Sequence, residues 1–130
     1  MSSHREGIDF GEFSDRLSGG RWQPDVDVFE SETEIIVRVE LAGVERQDVR
    51  VGVDGRVLRI SGTRRAPDTS EVQRLLQMEI ASGPFERSVT LPAPFERDRV
   101  SARLKDGVLT IVLPNRRPMR VEVEASDDEC

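Results

Sequence analysis

The chain has 130 residues, of which 36% are hydrophobic and 34% charged, with a formal net charge of −6. That length holds one folded domain with tails and excludes a second full domain, while the polar balance falls short of a wholly disordered chain. The acidic excess argues against a general nucleic-acid binder, which needs a concentrated basic face. No apolar run approaches the roughly 20 residues of a membrane helix.

Residues 1–21 read as a flexible polar arm carrying Ile8, Phe10, Phe13 and Leu17. The last three recur at helical spacing, and Asp9 with Glu12 is suited to capping a start, so the arm is either frayed or transiently helical. Ser2, His4, Arg5, Glu6, Asp9 and Glu12 interrupt any apolar core of a secretory signal, which makes the cytoplasm the expected compartment. Gly19-Gly20 then breaks the pattern, and from Trp22 the period changes to two.

Val26 and Val28 alternate with Asp25 and Asp27, and Ile35, Val37, Val39 and Leu41 alternate with Ile36, Arg38 and Glu40. Both read as half-buried strands. Val49, Val51 and Val53 lead through Asp54-Gly55 into Val57, Leu58 and Ile60, the pattern of a tight hairpin. Residues 61–70 are rich in Arg, Pro, Asp and Thr and predict a loop. Val72, Leu75, Leu76, Met78 and Ile80 follow, compatible with a short helix or an irregular strand.

Phe85, Val89 and Leu91 precede Pro92 and Pro94; Val100, Ala102 and Leu104 form a further alternating strand ending at Asp106-Gly107. The run 108–113 is apolar on both faces except at Thr110, which predicts a central strand buried on both sides. About seven short strands without a long central helix predict an all-β fold, a β-sandwich. After Pro114 a basic linker leads to Val121-Glu122-Val123 and an acidic end. In an extended chain Val121 and Val123 point the same way, either as two knobs for a surface or as a last strand of the chain's own sheet.

Chemistry finds little foothold. The only lysine, Lys105, is not preceded by the glycine-rich cradle of a nucleotide site. Asp25 and Asp27 lie two apart and could face a cation or act as an acid–base pair, but further ligands are absent nearby, so they read as solvated strand residues. Cys130 and His4 are the sole residues of their kinds, which removes an internal disulfide, a multi-cysteine metal site and most triad chemistry. Arg64-Arg65 and Arg116-Arg117 read as small solvated basic spots. The expectation is a protein that is not an enzyme and uses no cofactor.

The segment Ala102-Arg103-Leu104-Lys105-Asp106-Gly107-Val108-Leu109 resembles the A-x-x-x-[ND]-G-V-L signature of the small heat-shock proteins, whose core is the α-crystallin domain. Trp22-Gln23-Pro24 with Val26-Asp27, Leu41-Ala42-Gly43-Val44, the L-x-I-x-G of Leu58, Ile60 and Gly62, and Gly83-Pro84-Phe85-Glu86-Arg87 with Leu91-Pro92 are similar to further family motifs in the same order. The resemblance covers residues 22–114, placing an arm at 1–21 and a C-terminal extension at 115–130. It implies an immunoglobulin-like sandwich that holds unfolding client proteins without ATP and assembles into homodimers and higher oligomers.

It also implies a loop strand exchanged between subunits, mapping to Arg74, Leu75, Leu76, Met78 and Ile80, although Leu75, Leu76 and Gln77 replace the family's aromatic and basic residues and Ile80 its arginine. Val121 and Val123 are similar to the family's I-x-[IV] tail, which docks between two strands; these map to Val49, Val51 and Val53 and to Val100, Ala102 and Leu104. Valine for isoleucine, the short linker and the short arm predict a small or labile assembly. Ile8, Phe10, Phe13 and Leu17 are the expected client contacts. A β-sandwich adaptor of the co-chaperone kind, without holding activity, is the alternative.

Overall fold

The computed structural model describes residues 21–92, 94–116 and 122–126. Among these residues seven strands follow one another: β1 (Val26–Glu30), β2 (Glu34–Glu40), β3 (Val49–Asp54), β4 (Val57–Arg64), β5 (Gly83–Thr90), β6 (Ser101–Lys105) and β7 (Val108–Pro114). All neighbouring strands pair antiparallel, in a four-stranded sheet ordered β1-β2-β7-β6 and a three-stranded sheet ordered β3-β4-β5. Short 3-10 turns, Arg46–Asp48 and Arg97–Arg99, precede β3 and β6.

The sheets face each other across one apolar layer. Ile35, Val37 and Val39 of β2 and Leu109, Ile111 and Leu113 of β7 supply one wall, and Leu58, Ile60 and Phe85 supply the other; all are buried. The alternation read from the sequence is therefore the core itself, because successive strand residues face opposite sides. This is an immunoglobulin-like sandwich.

The turns follow the local chemistry. Asp106 and Gly107 both take positive φ, at 53° and 78°, between the paired residues Lys105 and Val108. That is the conformation a two-residue I′ hairpin needs, and Asp-Gly tolerates it. The β3–β4 hairpin is centred one residue later than the sequence suggests, on Gly55-Arg56, with Asp54 paired to Val57 and Gly55 at φ 61°.

Four local expectations need correction. Residues 61–64 are strand, not loop, since Gly62, Thr63 and Arg64 pair with Phe85, Pro84 and Gly83; partner strand β5 overrides their weak propensity. Strand β7 is buried on one face and only half-buried on the other, because no other element among the described residues stacks on the outer side of its sheet. Val28 is 44% exposed rather than half-buried, since β1 is an edge strand. The segment 72–80 forms neither helix nor strand within the single chain.

Candidate functional site

A sandwich of two open sheets has two seams, and this chain treats them differently. On one side Trp22-Gln23-Pro24 runs along β5: Trp22 N–H donates to Pro84 O at 3.3 Å and Glu86 N–H to Trp22 O at 3.2 Å. The Arg87 guanidinium donates to Pro24 O at 3.0 Å. That lead-in covers the β5 edge, a common way to blunt a reactive strand edge.

On the other side edge strands β3 and β6 flank an open groove of ≈ 480 Å³, lined by Arg46, Val49, Val51, Ala102, Arg103, Leu104 and Leu109. Strand alternation puts Val49 and Val51 on one wall, and Ala102 and Leu104 on the other. Of the six groove residues expected from sequence, the structure brings these four together. Val53 and Val100 are half-buried against the core, outside the lining. Arg46, Arg103 and Leu109 complete the lining. Only their position beside the alternating valines and leucine could have singled them out.

A second feature was not legible as function. Arg64, read as part of a solvated basic spot, reaches three separate segments. Its Nε donates to Ala81 O at 2.9 Å and its Nη1 to Ala42 O at 3.1 Å. Its guanidinium carbon lies 4.1 Å from the Trp22 ring centroid, a cation–π contact. Trp22 in turn donates from Nε1 to Gly83 O at 3.1 Å and packs on Phe85 at 5.1 Å between centroids. The cluster ties the root of the 65–82 loop to the point where the arm joins the sandwich.

Arg65 continues the loop by pairing with Asp48 at 2.9 Å. The hydrogen bond and charge of Asp48, with Glu45 adding, raise the Arg65 pKa above its ordinary value. Further along, the Ser70 backbone N–H donates to Asp68 Oδ1 at 3.0 Å and lowers that carboxyl's pKa below the usual range. Within the loop Leu76 and Ile80 are 80% and 77% exposed, whereas Leu75 and Met78 are half-buried and Arg74 is exposed. Val28 and Phe29 of β1 are also exposed apolar residues on a strand edge.

Residues 27–125 match the model of the Hsp20/alpha crystallin family. The chain belongs to this family. It is 34% identical over 120 residues to Spore protein SP21 of Stigmatella aurantiaca, covering 90% of this chain and 71% of that protein. It is 37% identical over 113 residues to Heat shock protein 16 of Schizosaccharomyces pombe, covering 82% and 78%. Among solved structures, Heat shock protein 16.0 from that yeast is similar at TM-score 0.69 and 32% identity, over 82% of this chain and 76% of that one. A small heat-shock protein from Xylella fastidiosa follows at TM-score 0.67 and 30% identity, over 81% and 99%.

Against the Hsp20 pattern, the family signature 102–109 occupies β6, the I′ turn and the first residues of β7, so it builds the groove wall and its closing hairpin. Gly62 of the L-x-I-x-G motif lies where a Cβ would come within 2.0 Å of Asp48 O and 2.8 Å of the Phe85 ring. Close packing, not turn geometry, requires glycine there. Val123 is 93% exposed and lies outside every strand, so it does not extend the chain's own sheet. The expected client contacts Ile8, Phe10, Phe13 and Leu17, together with Val121, His4 and Cys130, lie outside the described residues. Asp25 and Asp27 are both exposed, and no group of three or more potential metal ligands occurs among the described residues. No helix among them is long and apolar enough to cross a membrane.

Proposed function

We propose that this protein is an ATP-independent chaperone that binds partly unfolded proteins and keeps them from aggregating. The observation that carries the reading is the open seam between β3 and β6, walled by Val49, Val51, Ala102 and Leu104, in a member of the Hsp20 family. An unfolding client exposes apolar side chains and unpaired strands. A surface that binds that state holds it by mass action, with no chemistry and no cofactor. The arm residues Ile8, Phe10, Phe13 and Leu17 supply adaptable apolar contacts, and the seam supplies a strand-like cleft. We place the protein in the cytoplasm on the strength of its single cysteine, which suits a reducing compartment. Nucleic acid and membrane are not its partners.

Assembly uses two surfaces. The 74–80 stretch of the loop pairs with the exposed β1 edge of a second copy, forming a homodimer; the apolar Val28, Phe29 and Leu76, all exposed in the single chain, support this. The pair Val121 and Val123 of one copy enters the β3–β6 groove of another. Residues two apart on a strand repeat every ~6.6 Å, so the two knobs share the period of Val49 and Val51 on the groove wall. Leu109 lines the groove, whereas the chain leaves β7 five residues later, about 17 Å along the strand and heading away. A neighbouring copy is therefore the occupant that needs no chain reversal.

Each buried valine contributes about 1.5–3 kcal/mol, which the loss of free motion on association largely offsets. One tail binds weakly, while several tails on a multimer bind together and still exchange. The expected assembly is a small one, with dimers in equilibrium with modest oligomers.

The test is light scattering by a thermally aggregating protein, with and without this chain, in nucleotide-free buffer. Suppression at near-equal subunit ratio is the expected result. Absence of suppression at every ratio and temperature would leave the adaptor as the function.

A further inference from the structure

The lining of the β3–β6 groove contains two cations and no anion: Arg46 beside Val49 and Arg103 between Ala102 and Leu104. Elsewhere Arg65 pairs with the Asp48 carboxylate, and Arg56, Arg64 and Arg87 donate to backbone carbonyls. Arg46 and Arg103 pair with no carboxylate among the described residues. The tail has the opposite character. Residues 121–130 hold five carboxylates, Glu122, Glu124, Asp127, Asp128 and Glu129, and no cation. Glu122 and Glu124 alternate with the two valines and are exposed.

We propose that the groove selects its occupant by charge as well as by shape, so that ionic strength regulates assembly. The inference rests on the tail-docking reading above and adds what that reading lacks, a reason for this groove to prefer this tail. In an extended Val-Glu-Val-Glu segment the valines face the groove and the glutamates face outward. Long arginine side chains at the rim reach such outward carboxylates while their stems line the apolar walls. Exposed ion pairs are individually weak, but two of them change affinity by about tenfold. They are also the component that salt removes, because the screening length falls from about 10 Å at 0.1 M to about 3 Å at 1 M. The same chemistry defines the client strand the vacated groove favours: aliphatic residues two apart, with carboxylates between them.

The experiment uses the full chain and reads subunit association by sedimentation velocity across a concentration series, at low and high sodium chloride. Three variants are compared with the parent: Glu122→Lys with Glu124→Lys, Arg46→Glu with Arg103→Glu, and the combination of all four. All four positions are exposed, and the emission of Trp22 monitors the fold. Each double reversal is expected to raise the association midpoint about tenfold at low salt and to lose that difference at high salt. The four-site swap is expected to restore the parent midpoint. A fourth variant, Val121→Ser with Val123→Ser, tests the docking itself. If it weakens association while the charge reversals do nothing, or the swap fails to restore, charge selection is overturned and docking stands. If it leaves association unchanged, tail docking falls and the inference falls with it.

Discussion

Replacing Arg64 by alanine should loosen the sandwich at the place where loop and arm meet, and the size of the effect follows from its contacts. The hydrogen bond to Ala81 O is partly buried and charge-assisted, which contributes about 1.5–3 kcal/mol; the exposed one to Ala42 O contributes about 0.5 kcal/mol. The contact over Trp22 adds roughly 0.5–1 kcal/mol. Water reaching the freed carbonyls returns part of this, leaving a net loss of about 2–3 kcal/mol. For a fold of roughly 100 residues that lowers Tm by about 10 °C. Arg64→Lys keeps the charge but reaches one carbonyl at a time, so about half the loss is expected. Trp22 is the only tryptophan and is 8% exposed, so its emission should shift to the red in Arg64→Ala. Thermal unfolding followed by Trp22 fluorescence at fixed protein concentration measures both, since assembly itself moves Tm. A Tm within about 2 °C of the parent together with unchanged emission would refute the three-way tie.

Gly62→Ala should lower Tm by roughly 5–15 °C, because its Cβ meets the Asp48 backbone carbonyl and the Phe85 ring. Gly52→Ala, with nothing within 4 Å of its Cβ, should be neutral or slightly stabilising; equal losses in calorimetry would contradict the packing argument. Phe10→Ser with Phe13→Ser should raise several-fold the amount of chain needed for half-protection of an aggregating client, with the circular dichroism of the sandwich unchanged. Undiminished protection would remove the arm from the mechanism.

The strands of this protein are legible in its sequence because each buries one face, and burial of one face writes period two into the chain. Ile35, Val37 and Val39, or Leu109, Ile111 and Leu113, could be assigned to the core by counting alone. The Asp106-Gly107 turn was equally local, since positive φ at two adjacent positions admits few residue types. Strand β4 beyond Ile60 was not legible, because Gly62, Thr63 and Arg64 are held by pairing with β5, about twenty residues further along the chain.

The site divides in the same way. The groove between β3 and β6 was indicated by the family resemblance, alternation said only which of its side chains share a face, and the pairing of the tail valines followed from spacing. That Arg46 and Arg103 flank those positions, with neither in an ion pair among the described residues, depends on two sheets meeting at their edges. Likewise, Arg64 looks like a surface cation until Ala42, Ala81 and Trp22 are brought around it from three distant stretches. Periodicity records which side of an element is dry. Which elements become neighbours, and therefore which charges and edges face one another, is decided only when the sheets stack.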